Sequence, residues 1–248
     1  MALRSLFLRS DRKELESLLL YSVEVVPPND MKRVLIIAGP SAVGKTTIAH
    51  ELIKNGGIPF ELVRSVTTRA PRGDAYDAEY IYLTGSEFSS LMECGGVLEH
   101  TEYAGEHYGT PLSEVERITQ SGKYPLLILD LEGVKSLSEN SKGVYPCSLY
   151  IHDDISVMDK RLEMRYESVE KNAATHERLG SRKAQNRKDY ANIEKYSCHF
   201  YAFVENCREI SDTAKTVEQI FCDFLSDVEK DHNAIESVAR SLVTMSAK

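Results

Sequence analysis

The amino-acid sequence predicts an α/β fold in which a parallel five-stranded sheet is flanked by helices. Five short apolar runs have the length and the branched or aromatic residues of buried strands. They are RVLIIA (33–38), FELVRSV (60–66), YPLLILD (124–130), CSLYI (147–151) and FYAFVE (200–205). Amphipathic stretches between several of these runs predict helices over Lys45–Lys54, Pro111–Ser121, Ile155–Arg165 and Thr213–Leu225. Alternation of strands and helices is the pattern of a parallel sheet covered by helices.

Composition restricts the classes of function. The chain has 248 residues, 42% of them hydrophobic, which is enough for a substantial core. A formal net charge of −8 argues against non-specific binding to nucleic acid. No apolar run approaches the ~20 residues that cross a bilayer, so we expect no membrane association. The odd number of cysteines and the lack of a CxxC pair indicate reduced thiols, and we expect a cytoplasmic protein.

The two ends of the chain differ in character from its middle. Residues 1–31 form an N-terminal extension with two interpretations. Arg4, Arg9 and Arg12 among leucines are typical of a mitochondrial presequence, but the acidic residues from Asp11 onward disfavour it. The other interpretation is a short amphipathic helix that ends at Pro27. The composition of residues 227–248 predicts a polar helix, which is either docked on the rest of the protein or frayed.

Two internal regions interrupt the alternation of strands and helices. Residues 67–110 are polar and tyrosine-rich, and short alternating segments such as EYIYL predict a small inserted sheet. Residues 165–195 form a long charged stretch with few strong core positions, for which an exposed helix is the simplest interpretation.

The stretch GPSAVGKTT directly after the first strand predicts a phosphate-binding loop. It fits G-x-x-x-x-G-K-[ST], in which backbone N–H groups surround nucleotide phosphates, the lysine reaches the β- and γ-oxygens and the hydroxyl holds Mg²⁺. The alternative is an ordinary glycine-rich turn between a strand and a helix. The residues concerned are Gly39, Pro40, Ser41, Ala42, Val43, Gly44, Lys45, Thr46 and Thr47.

A second phosphate-binding element follows in SVTTRAPRGD. Arg69 and Arg72 stand close together, and guanidinium groups pair with phosphate oxygens through two parallel hydrogen bonds. A solvated charged loop is the alternative interpretation.

The order of the motifs resembles the guanylate kinase family over residues 32–226. GPSAVGKT matches G-P-S-G-x-G-K-[ST], SVTTRAPR matches S-x-T-T-R-x-P-R, LEHTEYAGEHYGT matches L-E-x-x-x-Y-x-x-x-Y-G-[TS], and DLEG matches D-x-x-G. The resemblance implies a P-loop NTPase fold with a mixed-sheet GMP-binding insert at about 65–110 and a helical lid at about 163–190. It also implies Mg²⁺-dependent phosphoryl transfer from ATP to GMP or dGMP by a monomer or homodimer.

The resemblance also implies a role for each site residue. Those that address the guanine are Ser65, Glu99 and Thr110, with Asp130 nearby. Those that hold the GMP phosphate are Arg69, Arg72, Tyr80 and Tyr108. Lid and donor-site residues are Arg161, Arg165, Arg178 and, for the adenine, Asn206. The implied catalytic residues are Lys45, Arg72, Arg165 and Arg178. Thr46 would bind Mg²⁺ directly, and Asp130 would bind it through water.

Chemistry supports this assignment of the acceptor. Guanine presents two adjacent donors, so one ionised carboxylate at Glu99 can accept from both, whereas adenine presents an acceptor there. Tyrosine hydroxyls can donate to phosphate without adding charge.

The sequence departs from the family at several places, one of which is Ile128 in place of an acidic residue expected two positions before Asp130. Ala42 replaces a glycine of the P-loop, so a positive φ there would strain the backbone. Two extra residues separate Arg165 from Arg178, so Arg182 or Lys183 is the alternative lid cation. Two other functions stay open at this point, a protein-binding module without catalysis and a P-loop kinase of another phosphorylated acceptor.

Overall fold

A computed structural model describes residues 31–71, 75–103, 105–140, 143–167, 173–206 and 209–246. They lie in a unit that spans Met31–Lys248, and residues 1–30 are outside the described residues. Both interpretations of the N-terminal extension therefore fall outside them. Among the described helices, none has the length and apolar composition needed to cross a membrane.

The described strands form two separate sheets. In chain order the strands are β1 Lys32–Ala38, β2 Phe60–Leu62, β3 Ser65–Thr67, β4 Tyr80–Tyr82, β5 Val97–Tyr103, β6 Glu106–Pro111, β7 Tyr124–Ile128, β8 Val144–His152 and β9 Ala202–Glu205. The larger sheet has the order β2-β7-β1-β8-β9, with every pair parallel. The predicted five-stranded parallel sheet is thus confirmed, and Val34 to Ala38 of its central strand are fully buried.

Helices cover this sheet as the alternation predicted. The described helices, of which α2 belongs to the insert, are α1 Lys45–Asn55, α2 Gly85–Glu93, α3 Leu112–Gln120, α4 Leu131–Glu139, α5 Ile155–Glu167, α6 Ala173–Tyr196, α7 Ile210–Leu225 and α8 His232–Ser246. The four helices predicted from periodicity correspond to α1, α3, α5 and α7. Helix α7 packs through Phe221, whose ring centroid lies 5.1 Å from that of Phe60 and 5.3 Å from that of Tyr124.

The smaller sheet is the predicted insert. Its order is β4-β3-β6-β5, with β3 parallel to β4 and antiparallel to β6. The run FELVRSV, predicted as one strand, is divided between the two sheets, because the chain leaves the large sheet after Leu62 and enters the insert at Ser65. Helix α2 of the insert begins with a capping box between Thr84 and Glu87.

An ion-pair network lies where the chain enters and leaves the insert. Arg64, between β2 and β3, donates from Nε and Nη2 to the two carboxylate oxygens of Glu114 at 3.0 and 2.9 Å. Glu114 belongs to α3, directly after β6, and is 5% exposed. Arg117 connects Glu114 to Glu61 of β2. These contacts join both crossing segments to the large sheet.

Helix α8 settles the two interpretations of the C-terminal tail in favour of a docked helix. Ile235, Ala239 and Leu242 recur at helical spacing on one face and are 5, 0 and 1% exposed. This face packs on α6 and on β9. The tail therefore belongs to the same compact unit as the sheet.

Candidate active site

The loop between β1 and α1 depends on its two motif glycines. Gly39 has a φ of 146° and Gly44 a φ of 105°. A Cβ on Gly39 would lie 2.3 Å from the Ile151 carbonyl oxygen, and a Cβ on Gly44 would lie 2.7 Å from Asn206 Nδ2. Both positions therefore require glycine, for conformation and for space.

Ala42 occupies the left-handed region, with a φ of 64°. An L-residue other than glycine pays about 1–2 kcal/mol for that conformation. The strain expected from the sequence is therefore present, and contacts elsewhere must offset it.

Lys45 lies at the first position of α1 and folds back over the loop. Its Nζ donates to the carbonyl oxygens of Gly39 at 2.7 Å and Pro40 at 2.8 Å. Burial lowers the pKa of Lys45 to about 8, Asp189 opposes that shift, and Arg182 adds to it. The ammonium group therefore lies within the field of charges that come from the lid.

Thr46 and Thr47 follow Lys45 in the first turn of α1. Thr46 is partly buried and Thr47 is exposed. No acidic residue occupies this turn, so the positive end of the helix dipole is not offset there by a side chain. This end of α1 is therefore suited to an anion.

Helix α5 contributes Arg161 and Arg165. Arg161 Nη1 lies 2.9 Å from Asp153 Oδ2 and 3.4 Å from the Ala42 carbonyl oxygen. Arg165 is exposed, and its charge adds to the lowering of the pKa of Lys45. Arg161 thus contacts the loop and the charge of Arg165 acts on its lysine, and the roles predicted for both arginines stay predictions.

Helix α6 places a different arginine at the loop from the one predicted. Arg178 is exposed, whereas Arg182, one turn later, donates from Nη1 to Ser41 Oγ at 3.2 Å. The contact with the loop is thus made one turn later on the helix than the sequence predicted, and the role of Arg178 stays a prediction.

Two further α6 residues near the loop were missed by the sequence analysis. Asn186 is fully buried and pairs with the backbone of Ser41, and Asp189 acts on the pKa of Lys45. Positions 182, 186 and 189 share one face of a helix, a spacing that could have indicated them. The uniformly polar composition around them hid that face.

Asn206 lies beneath the loop, at 1% exposure. Its Nδ2 donates to the Val43 carbonyl oxygen at 2.7 Å, and its Oδ1 accepts from Thr213 Oγ1 at 2.8 Å. In this structure the side chain supports the loop, and its predicted contact with the adenine stays a prediction.

The predicted guanine pocket centres on Glu99 of β5. Glu99 is 6% exposed, and Thr110 Oγ1 donates to its Oε1 at 2.7 Å. Burial raises the pKa of Glu99 to about 7, with a further contribution from the charge of Asp130. The pair is formed by adjacent antiparallel strands, β5 and β6.

Asp130 connects the pocket with the loop. It caps α4 by accepting from the Gly133 backbone N–H at 2.7 Å, and its side chain raises the pKa of both Lys45 and Glu99. A Cβ on Gly133 would lie 3.1 Å from Glu99 Oε2 and 3.2 Å from Asp130 Oδ1. Glycine at this position lets the two acidic groups approach each other.

The predicted acceptor-phosphate residues cluster in the insert. The Arg69 guanidinium lies 5.1 Å from the Tyr80 ring centroid, and the Tyr80 and Tyr108 rings are 6.3 Å apart. Ser65 lies on β3 opposite Tyr80. Arg72 lies outside the described residues.

The oxygen groups predicted for Mg²⁺ fit that ion in type. A hydroxyl at Thr46 and an exposed carboxylate at Asp130 are hard oxygen donors. No cluster of three or more histidine, cysteine or acidic residues suited to a metal occurs in the part of the chain described here. A magnesium ion with few protein ligands, held largely by phosphate and water, suits this arrangement.

Comparisons with known proteins agree with this geometry. The family model for guanylate kinase matches residues 31–223. The guanylate kinase of Prochlorococcus marinus is 33% identical over 196 residues, which cover 77% of this chain and 97% of that protein. The guanylate kinase of Lactobacillus acidophilus is 29% identical over 215 residues, with coverages of 82% and 99%.

The fold agrees as well. The crystal structure of guanylate kinase from Anaplasma phagocytophilum superposes with a TM-score of 0.54 at 22% identity, covering 82% of this chain and 89% of that one. This likeness supports the fold, and the family match over residues 31–223 together with the 33% identical relative shows that the chain belongs to the guanylate kinase family of nucleoside monophosphate kinases.

Proposed function

We propose that this protein transfers the γ-phosphoryl group of ATP to GMP or dGMP, and that the residues described above carry the reaction. One observation carries the proposal. Asp130 follows β7, the strand that pairs with β1 ahead of the donor loop, and its Oδ1 and Glu99 Oε2 lie 3.2 and 3.1 Å from the Cβ position of Gly133. The two sites therefore adjoin, as transfer between two bound nucleotides requires.

Glu99 selects the base in this proposal. Its ionised carboxylate accepts from the two donors on the guanine edge, and Ser65 and Thr110 complete the contacts. The Thr110 hydroxyl already holds one oxygen in place, so the carboxylate is oriented before the nucleotide binds.

The phosphate of the acceptor is held by the cluster in the insert. Arg69 supplies charge, and the Tyr80 and Tyr108 hydroxyls supply neutral donors. Arg72 belongs to the same proposal on the basis of the motif alone.

Positive charge around the transferring group comes from α1 and the lid. Phosphoryl transfer needs alignment and charge stabilisation more than covalent chemistry. Lys45, Arg165 and Arg182 supply that charge, and the contact of Arg182 with Ser41 favours it over Arg178. Thr46, directly, and Asp130, through water, would hold Mg²⁺, which neutralises phosphate charge when bound.

A coupled ADP-release assay with ATP, Mg²⁺ and a panel of nucleoside monophosphates tests the proposal. We expect turnover with GMP and dGMP and at least about tenfold lower efficiency with AMP, because adenine faces the Glu99 carboxylate with an acceptor. Turnover with none of the monophosphates would leave a binding module as the function. Preference for another phosphorylated acceptor would refute the assignment of the pocket.

The compartment and the assembly are also part of the proposal. Cys94, Cys147, Cys198 and Cys222 are free thiols, which supports a reducing, cytoplasmic location. A monomer or a homodimer stays a prediction, to be tested by light scattering.

A further inference from the structure

Three consecutive carbonyl groups of the P-loop each accept a hydrogen bond from a side chain distant in sequence. The pairs are Asn186 Nδ2 to Ser41 O at 3.0 Å, Arg161 Nη1 to Ala42 O at 3.4 Å, and Asn206 Nδ2 to Val43 O at 2.7 Å. The donors come from α6, from α5 and from the end of β9. We call this set the carbonyl clamp.

The clamp has a consequence for the opposite face of the loop. In a trans peptide the C=O of one residue and the N–H of the next point in opposite directions. Because the carbonyls of Ser41, Ala42 and Val43 are held toward the protein, the following N–H groups are turned away from it. Those N–H groups belong to the stretch that a P-loop uses to bind phosphate.

Asn186 makes the most complete contact in the clamp. In addition to its bond to Ser41 O, its Oδ1 accepts from the Ser41 backbone N–H at 2.8 Å, and the side chain is fully buried. One carboxamide thus satisfies both polar groups of the Ser41 backbone. Its removal would leave both groups of this partly buried backbone without their partner.

The strained backbone of Ala42 is the reason that the contact between Asn186 and Ser41 is needed. Ala42 follows Ser41 and holds a φ of 64°, a conformation that relaxes unless its surroundings restrain it. Asn186 restrains the chain before Ala42, and Asn206 restrains it after Ala42. Asn186 is therefore placed to keep the loop in its phosphate-binding shape.

We propose that Asn186 is a positioning residue for the donor nucleotide, which acts by pinning the backbone of Ser41 and so orienting the P-loop N–H groups. The inference rests on the proposed use of this loop for ATP. Asn186 need not touch the nucleotide, because its effect passes through the backbone of the loop. Its loss should weaken donor binding and leave the acceptor pocket, in the other sheet, unaffected.

The test compares equilibrium binding of a non-hydrolysable ATP analogue with that of GMP in the full-length protein, by titration calorimetry with Mg²⁺. For Asn186→Ala we expect about tenfold weaker binding of the ATP analogue, with GMP affinity within about twofold of the parent. Hydrogen exchange of the P-loop peptide should accelerate, because the Ser41 N–H loses its acceptor.

Asn192 offers a matched control on the same helix. Its Nδ2 donates to the Lys188 carbonyl oxygen of α6 itself, so Asn192→Ala removes a carboxamide without touching the loop. We expect it to bind both nucleotides as the parent does.

A second variant covers the case in which Asn186→Ala does not fold. Asn186→Asp keeps the shape and the acceptor for the Ser41 N–H but loses the donor to Ser41 O, so the ATP analogue should again bind more weakly. Asn192→Asp is its control for the added charge.

The outcomes are distinguishable from those that test the proposed function. Unchanged binding of the ATP analogue in a folded Asn186 variant would overturn the inference. An equal loss for both nucleotides would also overturn it, since that indicates general destabilisation. A parent that binds the ATP analogue but phosphorylates an acceptor other than GMP would refute the proposed function and leave this test intact.

Discussion

The acceptor insert and the donor loop obtain their geometry in different ways. In the insert, Glu99 and Thr110 lie 11 residues apart on neighbouring strands and bond to each other directly. The donor loop instead depends on side chains 119, 145 and 163 residues further along the chain. A short motif can therefore encode most of the pocket, whereas the loop motif encodes only the part that faces the phosphates.

The largest effect is expected from Lys45→Ala in the donor loop. Loss of the ammonium group removes charge stabilisation of the transferring phosphoryl group, so kcat should fall about 10²–10³-fold. Steady-state kinetics at saturating GMP measure it, with Lys54→Ala at the exposed end of α1 as the control. A folded Lys45→Ala protein with parental turnover would contradict the assignment of the loop.

The next largest effect is expected in the lid, where Arg182→Ala is compared with Arg178→Ala. Arg182 contacts the loop and Arg178 is exposed, so kcat should fall about 100-fold for Arg182→Ala and clearly less for Arg178→Ala. GMP affinity should be nearly kept in both, because the loss concerns the transition state. A larger loss for Arg178→Ala would restore the assignment made from the sequence.

Glu99→Gln tests the insert. The substitution places an N–H donor opposite a guanine N–H, at a cost of about 1–3 kcal/mol, so GMP efficiency should fall about tenfold and AMP should gain relative to GMP. The GMP-to-AMP ratio of kcat/KM measures this, with the exposed Glu102→Gln of β5 as the control. An unchanged ratio would show that Glu99 does not read the base.

The same substitution, which should lower the efficiency with GMP, should raise the stability of the nucleotide-free protein, because the pKa of Glu99 is raised. Because the folded-state pKa of about 7 exceeds the ordinary value of 4.5, the parent loses stability as pH rises from 4.5 through 7. Glu99→Gln should therefore be more stable than the parent at pH 8, by on the order of 2 kcal/mol, and not at pH 4. Urea unfolding at both values measures it, and equal differences at the two pH values would contradict the shift.

The smallest effect is expected at the boundary of the insert, from Glu114→Gln. Hydrogen bonds from Arg64 lower the pKa of Glu114 to about 2, so its contribution is present above pH 4.5 and disappears as pH falls toward 2. Since the Arg64 side chain is 47% exposed, solvent screening limits the loss to about 1 kcal/mol at pH 7.

Unfolding midpoints at pH 7 and pH 3 measure that loss, with Glu116→Gln on the same helix as the control. We expect kcat to be unchanged, because the Glu114 side chain bonds to Arg64 and Arg117, neither of which is assigned to a nucleotide site. Identical midpoints for parent and variant at pH 7 would mean that the network contributes nothing.

The sequence by itself determined the features that depend on neighbouring residues. Strand length and apolar composition indicated the central sheet, since parallel strands buried on both faces read as short apolar runs. The P-loop could be predicted because its glycines must adopt positive φ values wherever the rest of the chain lies. The start of helix α2 could also have been predicted from sequence, since Thr84 and Glu87 have the spacing of a capping box.

Only the tertiary structure decided which distant side chains meet. The run 60–66 is continuous in sequence, yet the chain changes sheets within it, since β2 pairs with β7 of the large sheet and β3 pairs with β4 and β6 of the insert. Arg178 and Arg182 are equally charged, and the packing of α6 on the loop alone brings Arg182 to Ser41. Asn186 carries no motif, and its role appears only in the fold, where its buried carboxamide pairs with both polar groups of the Ser41 backbone.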